Sequence, residues 1–215
     1  MPRRLVWLLM GVLLPYALAA AGLANDVLAD PVEMLRSAKR VDFVGTNAFA
    51  VEMTAKGAVL RTTPHRSACG LYQRVDVDGR QLQHIRWTWR VDRLHRTADI
   101  RDLRKEDFGA KVMFIFGEPS IFNRDVPTLA YVWTSTPVVN GTVLPSRRYT
   151  SLAYIQLHGR DEIGRWQQEE RNVTEDFKAV FGREPGRLRY IAIFNDNDQT
   201  AEAASALLGP ILDVK

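Results

Sequence analysis

The chain has 215 residues, 46% of them hydrophobic and 25% charged, and its 29 basic side chains nearly balance its 25 acidic ones, for a net charge of +4. So even a balance sets it apart from nucleic-acid-binding proteins, which carry a larger and clustered basic excess. A single cysteine, Cys69, excludes an intrachain disulfide framework and is expected to be a small buried residue rather than a reactive thiol.

In residues 1–24, Arg3 and Arg4 precede an apolar run over 5–18 and then small residues, the layout of a secretory signal peptide. Pro15 breaks the run, which falls short of the roughly 20 apolar residues a membrane-spanning helix needs. Cleavage after Ala24 would start the mature chain at Asn25, with no transmembrane span and a periplasmic or secreted location. Residues 25–42 then form an amino-terminal arm with room for one short helix, and residues 43–215 a single domain.

From residue 43 onward the pattern is that of strands. Segments 48–54 and 58–63 flank Ala55-Lys56-Gly57 as a hairpin, and 68–77 stops at the turn dipeptide Asp78-Gly79, so that these strands and the next read as a meander. Residues 85–116 are the centre of the pattern. Ile85, Trp87, Trp89 and Val91 alternate with Arg86, Thr88 and Arg90, which puts an apolar set and a basic set on opposite faces of one strand. Further on, Val112, Phe114 and Phe116 point one way and Met113 and Ile115 the other, as in a central strand covered on both sides. The connection between the two carries Asp92, Asp99, Asp102, Glu106 and Asp107 among arginines and lysines.

Strands are expected again over 128–135 and 149–157, and 166–170 is polar enough for an edge strand. Thr174, followed by Glu175 and Asp176, is a helix start, and Gly182 with Pro185 is its stop. A long strand follows over 187–194, then a second short helix over 200–208 and a closing strand over 211–214. Nine or ten short strands with one or two short helices predict a mainly β fold, an antiparallel β-sandwich of the jelly-roll type.

No nucleophile elbow, glycine-rich phosphate loop, paired-glycine nucleotide fingerprint or His-x-x-x-His spacing occurs, so cofactor chemistry is not expected. Two constellations remain. Asp196, Asp198 and Thr200 offer alternating oxygens just past a strand, and with Asp99 and Asp107 brought up from the acidic connection they would make a structural calcium site. The competing local role is capping of the following helix by Asp198 or Thr200. Arginines outnumber lysines 23 to 6, and Arg86, Arg90 and Arg171, with Trp166 as an aromatic platform, are the residues suited to hold an anionic or sugar-like ligand.

Trp87-Thr88-Trp89-Arg90-Val91, Asp107-Phe108-Gly109-Ala110-Lys111-Val112, Leu129-Ala130-Tyr131-Val132-Trp133, Glu170-Arg171-Asn172-Val173 and Asp196-Asn197-Asp198-Gln199-Thr200 appear in that order. Together they resemble a bacterial family labelled domain of unknown function 3047, over roughly residues 43–214. The resemblance implies a secreted or envelope protein and supplies no catalytic residue. Lys111 and Glu106 depart from its pattern, which favours arginine and aspartate there. The function expected is non-catalytic binding of a glycan or another polar, anionic envelope ligand. The alternatives are a polysaccharide-active lyase or hydrolase and a structural partner of another envelope protein, docking at the edge near Trp166.

Overall fold

The computed structural model describes residues 25–119 and 125–215; the signal-peptide segment lies outside them. In chain order the elements are β1 (Asp26–Ala29), α1 (Pro31–Ser37), β2 (Lys39–Val44), β3 (Ala48–Thr54), β4 (Gly57–Thr63), β5 (Ala68–Asp78), β6 (Ile85–Arg93) and β7 (Ala110–Ile115). They continue with β8 (Thr128–Trp133), β9 (Val143–Pro145), β10 (Leu152–His158), β11 (Gln167–Arg171), α2 (Val173–Phe181), β12 (Arg187–Asp196), β13 (Ser205–Leu208) and β14 (Ile211–Asp213). The strands form two seven-stranded sheets. The first runs β1-β14-β6-β13-β4-β3, with β11 on the other side of β6, and the second runs β2-β5-β12-β7-β8-β10-β9. The fold is a β-sandwich of jelly-roll type. Its pairings are antiparallel except that β8 and β10 run parallel, because the chain returns through β9 before β10 is laid down.

Alternation in β6 decides what fills the space between the sheets. Ile85, Trp87, Trp89 and Val91 are at most 1% exposed. Trp89 meets Trp133 of β8 edge-on at 5.7 Å, and Trp87 lies 5.2 Å from the Tyr131 ring. Such contacts add to the burial of large apolar surfaces in holding the layers together. Most polar edges of these rings are satisfied locally: Trp89 Nε1 donates to Glu169 of β11 (2.8 Å), Trp133 Nε1 to the Gly159 carbonyl (2.8 Å) and the Tyr131 hydroxyl to Asp176 of α2 (2.6 Å), whereas Trp87 Nε1 has no partner among the described residues.

Several local expectations change. The expected hairpin forms between β3 and β4, but the strands after it do not extend it into a meander: β4 and β6 belong to the first sheet, β5 and β7 to the second, so the chain crosses the sandwich at each connection from β4 to β7. Residues 25–42, expected as an arm, supply β1 and most of β2, which pair with β14 and β5, and between them α1, capped by the Asp30 carboxylate on the amides of Val32 and Glu33. Helix α2 is capped by Asn172 rather than Thr174, whose hydroxyl instead donates to the Gly79 carbonyl (2.7 Å); its end is Gly182, at φ +66°. No helix forms over 200–208. Ser205–Leu208 is a strand inserted between β4 and β6, because Ala206, Leu207 and Leu208, all buried, find ladder partners on both sides. Among the described residues no helix is long and apolar enough to cross a membrane.

Candidate functional site

The second sheet has a partly apolar outer face. Alternation in β7 sends Lys111, Met113 and Ile115 outward, and β12 sends Tyr190, Ala192, Phe194 and Asp196 the same way beside them. Phe43 of β2, Tyr72 of β5 and Tyr154 of β10 continue this face. Two hollows lie along it, one of about 640 Å³ and one of about 170 Å³. Phe43, Tyr72, Met113, Tyr149 and Leu152 border both, so the two form one trough. At its wider end the Tyr190 hydroxyl donates to Glu118 (2.5 Å), and Arg74 reaches both Glu118 and the Tyr190 oxygen.

The smaller hollow ends on Lys111, which is 6% exposed. Its ammonium lies 3.8 Å from the Phe108 ring centre and 4.1 Å from that of Phe194, a cation held between two aromatic faces. Gly70 is opposite Phe194 in the ladder and makes room for that ring: a Cβ there would come 2.8 Å from it. Among the described residues Lys111 makes no ion pair. Burial lowers its pKa, opposed by the charges of Asp196 and Glu106. Glu106 is itself matched by Arg148 and accepts from the Tyr154 hydroxyl (3.0 Å), and burial raises the pKa of that hydroxyl.

The connection between β6 and β7 folds over this end of the sheet and ties into the end of β12. The Phe108 amide donates to Asp196 Oδ1 (2.6 Å). Asp107 Oδ1 accepts from the Gln199 amide (3.2 Å), and its Oδ2 from the amide and hydroxyl of Thr200 (both 2.6 Å). No helix follows for Asp198 or Thr200 to cap; the turn is held by Asp107, from another part of the chain, while Thr200 Oγ1 accepts locally from the Glu202 amide (3.3 Å). These bonds bring Asp107, Asp196 and Asp198 into one group. Burial raises the pKa of Asp196 well above the carboxylate range, against the lowering effect of Lys111. Burial and the charge of Asp107 raise that of Asp198.

Asp99 stands outside this group. Arg101 grips its carboxylate (2.6 and 2.8 Å) and lowers its pKa. Arg86 and Arg90 lie on the outer face of the first sheet, away from Asp196: Arg86 pairs with Glu170 (2.8 Å), and Arg90 pairs with Asp92 (2.6 Å) and covers the Trp166 ring at 5.2 Å. Arg171 is held by Asp176 through Nε and Nη2 (3.0 and 2.7 Å) at the margin of the core. The trough residues Tyr72, Tyr149, Tyr154, Arg148 and Lys111 were not singled out as ligand contacts from the sequence. The one available signal was Lys111 itself, a charge in a strand whose neighbours read as covered on both faces.

The sequence matches the model of the family described as Protein of unknown function (DUF3047) over residues 38–212, and the chain belongs to that family. No curated protein matches it. Among solved structures it is similar to the family 11 carbohydrate-binding module of the cellulase Lic26A-Cel5E of Clostridium thermocellum, with 11% identity, a TM-score of 0.46, and coverage of 89% of this chain and 95% of that one. A cellulase derived from Cel12A of Rhodothermus marinus gives 8% identity and a TM-score of 0.41, over 82% of this chain and all (100%) of that one.

Proposed function

We propose that this protein is exported and binds a glycan along the trough on the outer face of the second sheet, without turning it over. The observation that carries this is the trough itself: about 640 Å³ opening beside a further 170 Å³, bordered by the rings of Phe43, Tyr72, Tyr149 and Tyr190 and ending in polar groups. Ligand sites are typically hollows of about 300–1,000 Å³ with apolar walls and a few placed polar groups. A sugar offers the matching chemistry, with C–H faces that lie on aromatic rings and hydroxyls that reach Arg148, Asp198 and Glu118.

Screening on a glycan array, followed by calorimetric titration of the hits, tests this. Tyr72→Ala and Tyr149→Ala should each weaken binding at least tenfold, whereas Arg86→Ala, Arg90→Ala and Trp166→Ala should leave it unchanged. The reverse pattern would move the ligand to the first sheet. A polysaccharide-active enzyme is the second reading, favoured by the burial of Lys111, Asp196 and Asp198 close together, which lowers the pKa of the lysine and raises those of the two carboxyls, since such groups gather where acid-base chemistry is done. Release of reducing ends or unsaturated uronides from a bound polysaccharide would replace the first reading with this one. For export, protein from its native host should have a mass beginning near Asn25; an intact Met1 in a soluble cytoplasmic fraction would remove that part of the proposal.

A further inference from the structure

We propose that Asp107, Asp196 and Asp198 bind one hard divalent cation of the calcium type at the closed end of the trough. One oxygen from each carboxylate lies within 4.8 Å of the others. Oxygens about 2.3–2.6 Å from a shared calcium stand no more than about 5 Å apart, so these three can close on one ion with small movements. The hydrogen bonds already described hold the carboxylates in place without using them up, because each carboxylate has about four acceptor positions.

Unpaired polar atoms point the same way. Asp198 Oδ1 is buried and accepts no hydrogen bond among the described residues. His95, 1% exposed, lies beside the cluster, where the charge of Asp107 and the carbonyl of Asp196 act on its ring, yet neither ring nitrogen has a hydrogen-bonded partner among the described residues. A buried imidazole left in this condition next to carboxylates is suited to orient a metal-bound carboxylate from behind, as groups around metal ligands commonly do.

Glu106 is engaged by Arg148, and Lys111 makes no ion pair among the described residues, so Asp107, Asp196 and Asp198 crowd together in a largely buried corner without a paired cation. Crowded buried carboxylates are costly unless something neutralises them, and a divalent cation does so. Donors that are all oxygen, with no thiolate, select a hard ion over zinc or copper. This site does not depend on the trough's ligand: the ion would bind in the absence of any glycan.

Metal-stripped protein titrated with calcium chloride alone tests the site. Calorimetry should give one ion per chain, and at a hundredfold excess over Kd the Tm should rise by roughly 5–10 °C, reversed by chelator. Asp107→Asn risks the fold, since Asp107 holds the 199–200 turn, so the decisive variant is Asp198→Asn, which should weaken binding at least tenfold. Asp99→Asn, outside the cluster, should bind as the wild type does. A wild type that takes up no calcium and melts indifferently to it would overturn the proposal. So would binding that survives Asp198→Asn, because the ion would then lie elsewhere.

Discussion

The two outer faces of the sandwich are built from opposite solutions to the same problem. On the first sheet Arg61 pairs with Glu52 and Asp92, Arg90 with Asp92, and Arg86 with Glu170, so each of these cations has a carboxylate beside it and partial contact with water. On the second sheet Lys111 is buried between two rings without an ion pair among the described residues, while three carboxylates crowd near it. A face whose charges are matched and hydrated makes little demand on a partner. A face that combines apolar rings with ill-matched buried charge does, and the trough lies there. Basic residues on a strand, then, mark a site less well than a charge that the fold has failed to pair.

The sharpest way to break this comparison is to remove Lys111. Lys111→Met keeps the volume but leaves Asp196 buried without its countercharge, and should destabilise the protein by about 3–5 kcal/mol at neutral pH in a urea melt. Adding Asp196→Asn should recover most of that loss. At the small end, Arg90→Ala removes a partly solvated pair from the first sheet and should cost no more than about 1 kcal/mol. Equal losses from Lys111→Met and Arg90→Ala would mean that the two faces are not under different electrostatic stress.

Much of the layer structure was legible because burial follows a two-residue period. Trp87 and Trp89 were assigned to the core and Arg86 and Arg90 to the other face from alternation alone, and β7 was recognised as central from its apolar residues on both sides. Helix α2 was visible from its acidic first turn and Gly182, though its cap was misplaced by two residues. The 200–208 segment misled because Ala-rich, apolar chain favours helix when isolated, whereas β4 and β6 offered it a vacant place in a sheet. The acidic cluster was half legible: Asp196, Asp198 and Asp107 were named, but Asp99 was named with them, and only the tertiary bonds separate them, the Phe108 amide on Asp196 bringing Asp107 in while Arg101 holds Asp99 outside.

By itself, then, the sequence determined which side chains lie on which face of a strand, because each residue's direction depends only on its immediate neighbours. It also carried the likeness to its family. Only the tertiary structure decided that β6 and β7 belong to different sheets, that Phe43, Tyr72, Tyr149 and Tyr154 border one trough, and that Asp107 reaches the turn after β12. Those outcomes rest on ladder pairings between residues tens of positions apart, such as Phe194 with Gly70 and with Lys111. Such pairings form through the competition of every strand for hydrogen-bonded edges and buried area, which no local pattern records.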